Sequence, residues 1–200
     1  MTSLLTADRL TFNYDSKTLF KDLSFTIAPN ERVALTAPSG AGKSTLALIL
    51  SGHLSPKSGK VMLWDKEITN APNRNVILVH QEDDLFPWLK VKEQLLFANP
   101  NCDYKKILTF LKLIDDEMKY PCQLSGGMKK RLALGRALAI NPKLIILDEP
   151  FGFLDQELKT ELLEDLQVLA SDQQISLLLI SHNTHEVESF CQRTIKLAKA

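Results

Sequence analysis

Two stretches of this 200-residue chain combine residue types and spacing suited to chemistry: residues 36–45, TAPSGAGKST, and the adjacent acids Asp148 and Glu149 that close KLIILDEP. The first follows the phosphate-loop pattern G-x-x-x-x-G-K-[ST] except at its opening position, where Ala37 replaces glycine. Gly40 and Gly42 let successive backbone N–H groups turn toward an anion, and a following helix offers its positive end to the same point. The loop from Ser39 through Ala41 to Thr45 is therefore expected to surround phosphates. Lys43 is suited to the β and γ phosphates of a nucleotide and Ser44 to Mg²⁺, while Thr45 adds a hydroxyl nearby. The Cβ of Ala37 costs little unless its φ must be positive, so losing Gly42 should matter more. The plainer alternative is a glycine-bearing turn between strand and helix.

Asp148 and Glu149 stand at the carboxyl edge of a buried strand, where ligands of open α/β folds bind. Asp148 suits contact with Mg²⁺ and its water; Glu149 suits orienting or deprotonating an attacking water. Two acids can also simply end a strand at solvent. That alternative weakens when a phosphate loop ends another strand of the same sheet.

The elements that must position these groups follow from hydrophobic periodicity. LLTADRLTFNY and TLFKDLSFTI are β-rich and lead through Pro29-Asn30 into the short apolar strand RVALT, which runs into the loop. KSTLALILSGHL has helical spacing with Gly52 as a C-terminal cap. Strands are expected at GKVMLW, NVILVH, KLIILDEP and ISLLLIS, with RTIKLA as a last edge strand. Helices are expected at KVKEQLLFA, YKKILTFLKLI and SGGMKKRLALGRALA, and over the stripe Leu158, Leu162, Leu166 and Leu169. This alternation predicts an α/β fold: a parallel sheet covered by helices on both faces, with residues 83–123 as an inserted helical lobe and 1–82 plus 124–200 as the core. The basic run Lys129, Lys130 and Arg131 is expected on a solvated helix face.

At 44% hydrophobic residues, one domain can bury a sizeable core. Lysine plus arginine number 24 and aspartate plus glutamate also 24, so no overall basic field draws in nucleic acid or an anionic membrane. Cys102, Cys122 and Cys191 form no C-x-x-C pair, which favours idle thiols in a reducing compartment. No apolar run approaches the ~18 residues of a membrane span, so a soluble cytoplasmic chain is expected, one that reaches a membrane only by docking. The chain stops soon after RTIKLA, leaving no room for a substantial second domain.

QLSGGMKKR, residues 123–131, resembles the signature motif of ATP-binding cassette (ABC) proteins. Tyr14, Gln81, FGFLD at residues 151–155, and His182 match further motifs in order, so the resemblance covers nearly the whole chain. It implies a P-loop NTPase core with an N-terminal antiparallel β subdomain, and the ATPase subunit of an ABC transporter. The family accepts alanine at the first loop position. By resemblance, Tyr14 stacks on adenine and Gln81 reaches nucleotide and metal. Asp155 belongs to the D-loop, and His182, the switch histidine, counts with Glu149 as catalytic. Ser125, Gly126 and Gly127 contact the γ-phosphate held by a second subunit. Each has a rival role: Tyr14 as an ordinary strand aromatic, Gln81 as a solvated loop residue, Asp155 as a helix N-cap, His182 with His185 as a metal pair.

The implied cofactors are ATP and Mg²⁺. The implied partners are a transmembrane permease, a homodimer or heterodimer of ATPase subunits and, for an importer, a solute-binding protein, with no nucleic acid. The implied place is peripheral, on the cytoplasmic face of the cell membrane. QEDDLFPWLKV and YPCQLSGGMKKR resemble importer ATPases of the nitrate, sulfonate and taurine type, although the lobe from Val91 to Pro121 is shorter than usual there. Residues 86–89 and Gln81 are expected between nucleotide and lobe. The alternatives are an exporter ATPase, a soluble cassette ATPase of DNA repair or translation, which lacks support without long insertions or a second cassette, and a small-molecule kinase, which has no use for LSGG.

Overall fold

The computed structural model describes residues 3–14, 17–80, 85–150 and 156–197, so the Gln81 and Asp155 expectations lie outside the described residues. Strands β1 (Leu5–Tyr14) and β2 (Lys17–Ile27) form an antiparallel hairpin. With β4 (Ser58–Leu63) and the two-residue β5 (Lys66–Glu67), they make a four-stranded sheet ordered β2-β1-β4-β5. The second sheet is parallel. It contains β3 (Arg32–Thr36), β6 (Val76–Val79), β7 (Leu144–Asp148), β8 (Ser176–Ile180) and β9 (Arg193–Lys196) in the order β6-β7-β8-β3-β9, which puts β9 at an edge as predicted.

All five residues of β7 and of β8 are buried, as expected of parallel strands covered on both faces. Side chains alternate across the sheet, so Leu144, Ile146, Leu178 and Ile180 enter one core. That core also takes helix α1 (Lys43–Leu50) and the antiparallel sheet. Ile145, Leu147, Leu177 and Leu179 enter a second core on the opposite face. Continuing the alternation puts Asp148 on the α1 face, and this register brings the strand-end acid to the loop.

The second core holds α2 (Val91–Ala98), α3 (Tyr104–Phe110) and α4 (Gly126–Ile140), together with α5 (Gln156–Asp172). A sixth helix, α6 (Thr184–Phe190), contributes Phe190. Helices α2 and α3 lie between β6 and α4 in the chain, as an inserted helical lobe requires. Helix α3 ends earlier than YKKILTFLKLI predicts, because Lys112 adopts φ 53° and closes the helix in the left-handed region. In α5, Leu162 and Leu166 are buried as the stripe predicts, but Leu163 is buried too, so the covered face is wider than one stripe.

The basic run of α4 departs from expectation. Lys130 is only 5% exposed, and Arg131 donates from Nη1 to the carbonyl of Leu111 at 2.6 Å. Arg131 is thus held by the end of α3 and Lys130 is buried, so the run is not a solvated face. All three cysteines are free, with Cys122 exposed and Cys102 and Cys191 half-buried. No helix among the described residues is long and apolar enough to cross a membrane.

Candidate active site

A cleft of about 430 Å³ opens where β3 and β7 end. Its floor is the loop: Ser39, Gly40, Gly42 and Lys43–Thr45 line it. Gly40 and Gly42 adopt φ 72° and 92°, the left-handed conformation that costs glycine nothing, and Gly42 is the N-cap of α1. A Cβ on Gly42 would lie 2.9 Å from Leu19 Cδ1, because β2 closes against the loop there. Gly42→Ala should therefore destabilise the fold by about 1–3 kcal/mol and weaken nucleotide binding, as read by denaturant titration and ATP titration. Ala37, by contrast, is not among the residues with positive φ. What its position supplies is main chain: Lys43 Nζ donates to the Ala37 carbonyl at 3.1 Å. Alanine therefore serves at the first position of the loop.

Asp148 is 4% exposed and lies beside the Ser44 side chain. Burial pushes its carboxyl above the usual range, opposed by the Ser44 hydroxyl; Glu149 adds to the rise, and His80 and Lys43 oppose it. A hard divalent cation favours the ionised form of such a carboxylate, and a hydroxyl beside a carboxylate is a donor set that Mg²⁺ accepts while keeping several waters. Glu149 continues beyond β7 with its N–H donating to the Ile180 carbonyl at 3.0 Å. Its φ of 48° is a strained value for a residue with a Cβ, of the kind that gathers at functional sites. Because β7 and β8 are neighbours, residues just past their ends meet: Glu149 Oε1 lies 3.3 Å from His182 Nδ1.

Tyr14 lines the mouth of the same cleft, 53% exposed, with its ring edge-on to Phe12 at 5.0 Å. Lys17 and Leu19 also line it, which sequence reasoning missed. The strand register held the signal for Lys17, which pairs with Tyr14 on the neighbouring strand and is thereby brought to the same mouth. His80, at the end of NVILVH, was also missed; the pairing of Val79 with Leu147 brings it beside Asp148. Among the described residues that line the cleft, Ser125, Gly126 and Gly127 do not appear. Ser125 instead caps α4, its Oγ accepting from Met128 N–H at 3.3 Å, with Ser125 and Gly126 exposed. Among the described residues no cluster of three or more His, Cys, Asp or Glu is arranged to hold a metal by itself.

A glycine loop between β3 and α1, with an acid-tipped β7 on the α1 face of a parallel sheet, is the P-loop NTPase fold. The chain belongs to the ABC transporter family, whose model matches residues 20–152. It is 34% identical over 207 residues to the thiamine import ATP-binding protein of Yersinia pseudotuberculosis, covering 98% of this chain and 87% of that protein. It is also 34% identical to the nitrate import ATP-binding protein of Synechococcus elongatus, over 88% of this chain but only 28% of that longer one. In fold it matches a bacterial Atm1-family ABC exporter with ATP bound, at TM-score 0.87 and 23% identity, over 100% of this chain and 38% of the exporter. The family is one of ATP-binding, ATP-hydrolysing transport subunits.

Proposed function

We propose that this chain binds Mg-ATP, hydrolyses it, and uses the cycle to drive a membrane permease on whose cytoplasmic face it sits, in an importer. The observation that carries the proposal is the single cleft joining Tyr14, the phosphate loop, Lys43 and Glu149, with Asp148 beside the Ser44 that lines it. Tyr14 offers adenine a ring face, and the loop N–H groups with Lys43 hold the phosphates. Ser44 and Asp148 would hold Mg²⁺, which when bound neutralises phosphate charge. Glu149 orients and deprotonates water, and His182 steadies that carboxylate and the departing phosphate. Gln81 and Asp155 keep the roles the resemblance implies. Import is favoured by the import names of the relatives; the exporter's TM-score of 0.87 means that fold alone does not discriminate. The experiment is ATP titration and phosphate release by the purified chain, then solute uptake by vesicles in which it is combined with candidate permeases. Absence of ATP binding would overturn the reading.

The docking surface is proposed at residues 86–89. Gln94, fully buried on α2, clamps this segment: its Nε2 donates to the carbonyls of Phe86 and Leu89 at 2.6 and 3.1 Å, and its Oε1 accepts from Phe86 N–H at 3.2 Å. Arg136 of α4 lies 4.7 Å from the Phe86 ring centroid, while Trp88 is 68% exposed and Phe97 66%. An exposed Trp88 on a clamped segment, with Phe97 of α2 packed 4.9 Å from the Phe86 ring, suits an anchor of an interface. Changing Phe86 and Trp88 to alanine should reduce permease assembly about tenfold or more and transport in proportion, while ATP affinity of the isolated chain stays within about twofold. Unchanged uptake by the folded double variant would count against this surface.

A further inference from the structure

Helices α5 and α6 meet beneath the His182 segment around one buried carboxylate. Glu186 of α6 is 5% exposed. Its Oε1 lies 2.8 Å from Lys159 Nζ of α5 and accepts from Asn183 Nδ2 at 3.2 Å, while its Oε2 accepts from Ser181 Oγ at 2.7 Å. Ser181 Oγ also accepts from Asn183 N–H at 3.0 Å. The carboxylate thus grips the two residues that flank His182.

Stability is a poor reason for this arrangement. The side chains of Lys159 and Glu186 are 13% and 7% exposed, and desolvation of two charges offsets most of what their attraction gains. Such a pair does hold a unique geometry, and His182 needs one. Its side chain is 77% exposed and makes its 3.3 Å contact with Glu149 from outside the packed core, so packing against the ring does little to place it. The backbone on either side must do so.

We propose that Glu186 is a positioning residue for His182: anchored on α5 by Lys159, it fixes Ser181 and Asn183 and thereby sets the imidazole against Glu149. Because Lys159 lies in the first turn of α5, a shift of that turn is passed to His182. The kinetic part of the proposal rests on the ATPase reading; the positional part does not.

The test uses the full chain with labelled histidine and two variants. Glu186→Ala removes the anchor and strands the Lys159 charge, so it risks unfolding. The double variant Ser181→Ala/Asn183→Ala leaves the Lys159–Glu186 pair intact and cuts both of its side-chain links to the segment. The His182 ring resonance, assigned by its loss in His182→Gln, should show a proximity signal to the Glu149 side chain in the parent and lose it in the double variant. In the same variant kcat should fall about tenfold with KM within about twofold, the split expected of misplaced machinery with intact binding. An unchanged proximity signal in the folded double variant overturns the proposal, as does a lost signal with unchanged kcat. A parent that hydrolyses no ATP overturns the proposed function, and the proximity signal then decides the positional claim alone.

Discussion

Lys43→Ala binds ATP about 30- to 1,000-fold more weakly than the parent, the loss of about 2–4 kcal/mol that follows when one member of a close charge pair is truncated. The expectation comes from position: Lys43 is the first residue of α1, lines the cleft and spans the loop back to the Ala37 carbonyl. Its removal costs the fold little, since one hydrogen bond to a carbonyl contributes about 1 kcal/mol. The loss should therefore appear in an ATP titration with a melting temperature within a few degrees of the parent. ATP bound as tightly by the folded variant would mean that the loop is only a turn between strand and helix.

Glu149→Gln slows hydrolysis by about 10²- to 10⁴-fold and leaves ATP affinity nearly unchanged, the scale of a lost general base. The amide keeps the shape of the side chain and its contact with His182, so the left-handed backbone at Glu149 persists and only the acceptor of the water's proton is removed. Phosphate release at saturating ATP measures the first effect, and a titration the second. A variant that turns over at the parental rate would assign the water to another group.

The phosphate loop and the strand-end acids were legible because their chemistry dictates both residue type and spacing, and the parallel sheet because β7 and β8 are apolar runs apart from Asp148 and Ser176 at their ends. The alternation along β7 also shows why Asp148 meets Ser44: one residue of offset would have turned it to the opposite core. Other features were not written locally. Nothing in Lys112 announces a left-handed helix end, which glycine or asparagine would have signalled. The burial of Lys130 is a tertiary fact that no charge pattern carries. The same holds for Lys17 and His80, brought to the site by strand register, and for Glu186, whose partners Ser181 and Lys159 come from different elements. Gln81 and Asp155 lie outside the described residues, and their roles rest on resemblance alone.

The cleft takes Tyr14, Lys43 and Glu149 from one chain, whereas Ser125 caps α4 outside the described lining. If LSGG completes a site, it completes that of a second subunit, and ATP held by Lys43 should join two chains face to face. Glu149→Gln isolates that step, since binding proceeds and hydrolysis no longer relieves closure. Sedimentation of Glu149→Gln with Mg-ATP should show a dimer, with monomer when ATP is omitted or when Lys43→Ala is added. A monomer at high protein concentration with ATP would contradict the pairing of identical copies, and a monomer that persists with permease and any paralogous subunit present would contradict the shared site itself.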